Sequence, residues 1–197
     1  QAAKDQTKAL LNDLVKGQLP AEKPDFNAGG LAAFCDKPLA KTLAEPGQTT
    51  PNKPLAEALS SHWSRLKAGD YAVILAFIDP NDENRRSLSE LQRRLRKLTQ
   101  APVMLEYGSR YLHSTGQLYK GGANTGLFLM LVEQDAALAP VPGETFTFGT
   151  LHRAQARGDF AALKAAGRRV LRLELGACGA NPLQALLNAA APSQCPR

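Results

Sequence analysis

Two stretches constrain this chain more than any others. Tyr71-Ala72-Val73-Ile74-Leu75-Ala76-Phe77-Ile78 and Leu127-Phe128-Leu129-Met130-Leu131-Val132 are unbroken apolar runs. Both are far shorter than the ~20 residues that cross a bilayer. Neither alternates between apolar and polar, so neither suits a sheet with one wet face. A short apolar run stopped by turn residues, as Asp79-Pro80 stop the first, is the pattern of a strand buried on both faces. Such strands need helices packed above and below them, which is the arrangement of a parallel sheet.

The rest of the chain supplies those helices. Leu55, Leu59, Trp63 and Leu66 recur at helical spacing, and Gly69-Asp70 turns the chain into the first run. Ser87 with Glu90 three residues later reads as a capping box, opening a helix with the stripe Leu88, Leu91, Leu95 and Leu98. Val103 to Leu105 suits a short strand, and Thr150 to Ala166 a helix ended by Gly167. Val170 to Leu175 alternates and reads as an edge strand, followed by a last helix over Pro182 to Ala190. Strands alternating with helices predict an α/β fold, a three-layer αβα sandwich on a mainly parallel sheet. Ahead of it, Thr7 to Val15 carries a helical face. Residues 18–54 are rich in Pro, Gly, Asn and Thr, with one apolar patch, Leu31 to Cys35, suited to a short strand. The expected division is an N-terminal helix and irregular arm over 1–53 and the αβα domain over 54–197.

Composition narrows the function classes. At 44% hydrophobic and 21% charged, the chain is neither disordered nor collagen-like. A net charge of +6 favours a phosphate-bearing partner without requiring nucleic acid. Arg85, Arg86, Arg93, Arg94, Arg96 and Lys97 flank the leucine stripe with no interleaved aromatics to stack on bases. They read as a solvated helix face, not a nucleic-acid interface. Cys35, Cys178 and Cys195 form no Cys-x-x-Cys pair, and His62, His113 and His152 do not cluster with them, which argues against zinc. Cys35 suits a buried thiol, and Cys178 and Cys195 are close enough in sequence to pair. An odd cysteine count without an apolar signal segment reads as reducing and cytoplasmic. The chain opens Gln1-Ala2-Ala3-Lys4 without Met, so it is expected to be a processed chain or a piece of a longer one.

The densest polar stretch is Tyr107 to Gly126, between two expected strands. It matches neither the P-loop nor the Gly-x-Gly-x-x-Gly pattern. What remains is a glycine-rich loop with cations, able to bring backbone N–H groups close to a small anion or a sugar. His113 is the acid/base candidate because histidine is the residue type whose ordinary proton exchange falls near neutrality; the alternative is a buried histidine held by a backbone carbonyl. Arg110 and Lys120 are either ligand cations or plain surface charges. Ser114, Thr115, Gln117, Gly121, Gly122 and Asn124 are the neutral groups available to a substrate. His152 and Arg153 open a helix just after another strand end, where α/β sheets bind ligands; the alternative there is a solvated first turn.

Within that stretch, His-Ser-Thr-Gly-Gln-Leu-Tyr-Lys-Gly-Gly from His113 closely resembles the isomerase part of bifunctional transaldolase/glucose-6-phosphate isomerase chains. So do Pro142-Gly143-Glu144-Thr145-Phe146-Thr147-Phe148-Gly149-Thr150-Leu151, Arg153-Ala154-Gln155-Ala156, Gly167-Arg168-Arg169-Val170-Leu171-Arg172 and Gly69-Asp70-Tyr71. Weaker likeness reaches the N-terminal helix. The resemblance implies the second, C-terminal sugar-isomerase (SIS-type) subdomain of that enzyme. It also implies interconversion of glucose 6-phosphate and fructose 6-phosphate without cofactor or metal. In that reaction a histidine assists ring opening and a carboxylate carries the proton between C1 and C2 through an enediol. His113, Gln117, Leu118 and Gly122 match the His-x-x-x-Gln-Leu-x-x-x-Gly pattern around the ring-opening histidine. The Glu-Ser-Asn-Gly segment that carries the base is absent; Glu106 is the nearest acid and is not assigned that role. His152 stands where the bifunctional chains often have Lys, and the main phosphate loop belongs to the first subdomain. The implied partners are a phosphosugar, an upstream isomerase subdomain and a transaldolase part, with a homo-oligomer left open and no nucleic acid or membrane. The alternative is a sugar-phosphate-binding or interaction module that uses the same loop without chemistry.

Overall fold

Both apolar runs are central strands of one sheet. A computed structural model describes residues 21–134, 139–176 and 181–190. Its strands are β1 (Phe26–Ala28), β2 (Leu31–Cys35), β3 (Asn52–Lys53), β4 (Tyr71–Phe77), β5 (Val103–Tyr107), β6 (Gly126–Glu133) and β7 (Arg169–Leu175). Its helices are α1 (Lys37–Leu43), α2 (Leu55–Trp63), α3 (Asp82–Thr99), α4 (Thr115–Gly121), α5 (Phe148–Ala165) and α6 (Pro182–Ala189). The sheet order is β3-β1-β2-β7-β6-β4-β5. Strands β7, β6, β4 and β5 are mutually parallel, and β2 runs antiparallel to β7 and to β1.

The lack of alternation in β4 and β6 follows from two covered faces. Ala72, Ile74, Leu127, Leu129 and Leu131 pack with leucines of α1, α2, α3 and α6. Val73, Leu75, Phe77, Phe128 and Met130 pack with Tyr111, Tyr119 and the Ala156, Phe160 and Leu163 stripe of α5. Each fully buried large aliphatic side chain stabilises the fold by roughly 2 kcal/mol. This is the expected three-layer α/β sandwich. No described helix is long and apolar enough to cross a membrane.

Three expectations are corrected. Residues 26–53 are not an irregular arm, because they add three strands to the same sheet and no boundary at 53/54 separates them from it. Gly29 and Gly30, at φ +58° and +89°, make the tight β1–β2 turn that residues with a Cβ disfavour. Asp36, just after β2, accepts the Val170 N–H at 2.8 Å and the two terminal Arg65 guanidinium nitrogens at 2.8 and 2.9 Å. It thereby fastens this segment to β7 and to the turn after α2. Second, β7 is an interior strand. Its alternating Arg172 and Glu174 are buried, not solvated. The Arg172 guanidinium stacks 3.9 Å from the Phe34 ring centre and 4.7 Å from that of Phe160, and pairs with Glu22 at 2.5 Å and Glu174 at 3.2 Å. Third, α3 starts at Asp82, not at Ser87. Asn81 caps it by accepting the Asn84 N–H at 2.9 Å, and Asp82 and Glu83 place negative charge on the positive end of the helix.

The basic face of α3 is partly used internally. Glu90 accepts from Arg93 and Arg94, Arg94 also reaches the Leu187 carbonyl, and Arg96 donates to the Val103 carbonyl. Cys35 is buried, and burial first, then Asp25 and Asp36, pushes its thiol up to about 12, so it is an unreactive core thiol. The expected N-terminal helix, Cys178, Cys195 and the last seven residues lie outside the described residues.

Candidate functional site

The carboxyl ends of β5, β4, β6 and β7 share one edge of the sheet. The chain leaves β4 outward to β5 and then returns past it to β6. Loops after β4 and β6 therefore diverge, and such a crossing is where α/β sheets bind ligands.

β5 ends against β4 at Gly108, whose N–H still bonds the Ala76 carbonyl at 2.9 Å. A Cβ on Gly108 would lie 2.4 Å from the Phe77 ring, so only glycine fits there without displacement. A 3-10 turn, Arg110–His113, follows and leads directly into α4. The turn points one large side chain inward. Tyr111 is 2% exposed, and its hydroxyl donates to Asp159 of α5 at 2.6 Å. The Lys120 ammonium sits 2.5 Å from the other Asp159 oxygen. Glu106, on β5, accepts from the Thr115 hydroxyl at 3.1 Å and the Tyr119 hydroxyl at 3.0 Å. Burial above all raises the pKa of both phenols, with Asp159 adding to it at Tyr111 and Glu106 at Tyr119. Both hydroxyls therefore remain protonated donors. Gly116 completes the fit, since a Cβ there would come within 2.8 Å of the Tyr111 carbonyl oxygen.

What this framework displays is His113. It is exposed and has no hydrogen-bond partner among the described residues, so the alternative of a buried, carbonyl-held histidine does not apply to it. Arg110, Ser114 and Gln117 are exposed beside it in sequence. The Ser114 hydroxyl donates to the Tyr111 carbonyl at 3.3 Å and the Gln117 amide to the Leu112 carbonyl at 3.3 Å. His152, one turn into α5, reaches the same strand end. Its Nε2 lies 2.8 Å from the Gly108 carbonyl oxygen, and its ring centre is 5.1 Å from that of Phe77. Arg153 donates to the Gln134 carbonyl at 3.0 Å, holding the chain at the end of β6.

The structure does not gather all the expected site residues. Gly121, Gly122 and Asn124 lie where α4 ends and β6 begins, at the amino edge of the sheet, across from His113. The Lys120 and Gly122 carbonyls accept from Arg168 at 2.7 Å each, and Asn124 donates to the Gly167 carbonyl at 3.1 Å. The Lys120 ammonium is engaged by Asp159, and the Thr115 hydroxyl by Glu106. Sequence reasoning does not single out Asp159, although a signal is present: it is an acid on the Ala156–Phe160–Leu163 face of a helix, at core spacing.

A separate cleft of about 350 Å³ opens at the ends of β4, β6 and β7 on the α3–α6 side. Ile78, Asn84, Glu133, Gly176, Asn181 and Leu183 line it. Glu133 accepts the Asp79 N–H there at 3.0 Å. Among the described residues no cluster of three His, Cys, Asp or Glu is arranged to hold a metal ion.

No family model matches the chain, and no curated protein matches it. Among solved structures it is similar to hypothetical protein TT0462 from Thermus thermophilus, with a TM-score of 0.52 and 18% identity. The match covers 78% of this chain and 41% of that one, so the chain spans less than half the length of this neighbour. At that identity the likeness speaks to the α/β fold alone.

Proposed function

We propose that the chain is the C-terminal domain of a phosphosugar isomerase that interconverts glucose 6-phosphate and fructose 6-phosphate, with a site completed by further residues. The observation that carries this is His113: an imidazole, exposed and without a partner among the described residues, on a braced turn at the carboxyl edge of a parallel sheet. The motif around it is the one that resembles the isomerase family. In the closed sugar, a neutral imidazole takes the C1 hydroxyl proton, and the imidazolium returns a proton to the ring oxygen as the C1–O bond to the ring breaks. Proton transfer between C1 and C2 then needs a carboxylate. Arg110 at the same edge suits the phosphate dianion.

The test is turnover of glucose 6-phosphate by the longest natural form of the protein, with and without His113→Asn. Removing a general acid–base group is expected to lower kcat by roughly 10²–10⁴-fold, with KM little changed. Absence of turnover in every assembled form, or full turnover by His113→Asn, would refute the reading. One observation favours the alternative, a non-catalytic sugar-phosphate-binding module: Glu106, the carboxylate nearest to His113 in sequence, is occupied by Thr115 and Tyr119. That module would bind glucose 6-phosphate in calorimetry and turn over none.

A further inference from the structure

We infer that Asp159 is a positioning residue for His113, acting through Tyr111 and Lys120. The inference rests on the reading of His113 as the ring-opening group. Asp159 has a side chain 1% exposed, and each of its oxygens takes a different partner: the Tyr111 hydroxyl at 2.6 Å and the Lys120 ammonium at 2.5 Å. Those partners bracket His113 in sequence, one on its own turn and one at the far end of α4. A single carboxylate thus ties the turn and the helix after it to α5, the helix that also carries His152.

Packing alone does not call for this arrangement. The surrounding face is Phe77, Phe128, Met130 and Phe160, and apolar residues at 120 and 159 would hold α4 on the sheet. A buried ion pair is costly to desolvate, and well-packed apolar replacements are often neutral or stabilising. What an apolar pair lacks is direction. A hydroxyl–carboxylate bond fixes the angle at which Tyr111, and with it His113 two residues on, leaves the sheet.

The experiment uses NMR on the full 197-residue chain, comparing wild type with Tyr111→Phe, with Asp159→Asn, and with the apolar double variant Lys120→Met plus Asp159→Leu. Three quantities are read: the melting temperature, amide hydrogen exchange over residues 110–117, and the shift of the His113 imidazole resonance on adding glucose 6-phosphate. The double variant is expected to melt within a few degrees of wild type. Its amides over 110–117 exchange roughly ten- to a hundredfold faster, the loss expected from a charge-assisted hydrogen bond. Tyr111→Phe, which keeps the ion pair and removes only the hydroxyl, shows the same local effect and guards against a double variant that fails to fold. Wild-type protection over 110–117 in Tyr111→Phe overturns the inference, as does a loss of protection spread evenly over all of α5. The His113 shift induced by glucose 6-phosphate is expected to shrink in Tyr111→Phe, and a full wild-type shift there overturns the positioning role, whereas absence of any shift in the wild type counts against the substrate reading.

Discussion

Burial of His62 is expected to make this fold less stable at mildly acidic pH than at neutrality. It lies on α2, fully buried, with its ring centre 5.0 Å from that of Trp63. Burial is the main cause, and Arg65 and Arg169 add to it, so that its pKa falls from 6.5 to about 3 despite the Phe128 backbone. The folded protein therefore carries a neutral imidazole through the whole range from pH 6.5 to 3, whereas the unfolded chain takes up a proton below about 6.5. The proton-binding state is the unfolded one, so stability falls as pH drops through 6.5 and stops falling near 3. At about 1.4 kcal/mol per unit of pH, the loss between neutrality and pH 5 is roughly 2 kcal/mol. Two depressed carboxylates do not confuse the measurement. Asp70 is held down mainly by Arg169, and Glu90 is held at about 2 by Arg93 and Arg94. Their contributions are complete above the ordinary carboxylate range and are lost as pH falls below about 4.5. Urea unfolding at about pH 7.5 and about pH 5, in wild type and in His62→Leu, isolates the histidine. Wild type should lose about 2 kcal/mol more than the variant over that interval. Equal losses in the two proteins would mean that His62 is solvated or protonated in the fold, and the reasoning would fail.

Two further outcomes follow from single contacts. Gly116→Ala ordinarily stabilises a helix by up to about 1 kcal/mol, but here the new Cβ would lie 2.8 Å from the Tyr111 carbonyl oxygen. The sign should reverse to a loss of roughly 1–3 kcal/mol in urea unfolding, with chemical-shift changes centred on 110–117. The open edge of β5 is guarded at its Val103 carbonyl by Gln92 at 2.8 Å and Arg96 at 2.9 Å. Replacing both with Ala should raise concentration-dependent association in light scattering while circular dichroism at low concentration stays that of wild type.

The layer architecture is legible in the sequence because two covered sheet faces leave a clear trace, apolar runs without alternation in β4 and β6. The same logic misleads at β7. Alternation there arises because Arg172 is buried by stacking on Phe34 and Phe160 and pairs with Glu174 beside it, which a one-dimensional pattern cannot distinguish from solvent exposure. Residues 26–53 are obscured for a different reason. Their strands are two to five residues long and are held by Asp36, Val170 and Arg65, contacts between segments remote in sequence. The start of α3 is hard to place because Ser87 and Glu90 satisfy the capping pattern as well as Asn81 does. Among the site residues, local spacing marks His113 but gives no hint that Lys120 is consumed by an acid on α5, 39 positions away.

The glycine-rich polar stretch does two jobs, and the geometry divides them. A parallel crossover from β5 to β6 must return the chain from the carboxyl edge to the amino edge, and α4 does so in seven residues, a rise of roughly 10 Å. Gly122 serves that return: a Cβ there would approach the Leu118 carbonyl oxygen to 2.7 Å. The nearby carbonyls of Lys120 and Gly122 are then capped by Arg168. Gly122 and the Lys120 charge in the second half of the stretch are thus accounted for by helix termination and by Asp159, without any ligand. The first half has no comparable structural demand on its exposed groups. Among the described residues, the side chains of Arg110, His113 and Ser114 make no hydrogen bond to a strand or to α5, while Tyr111, Gly116 and Thr115 between them do the holding. A ligand recognised by this stretch is therefore recognised at the carboxyl edge. Under the proposed function, the groups that would discriminate it are the ones that packing leaves free among the described residues, His113 and Arg110 first among them.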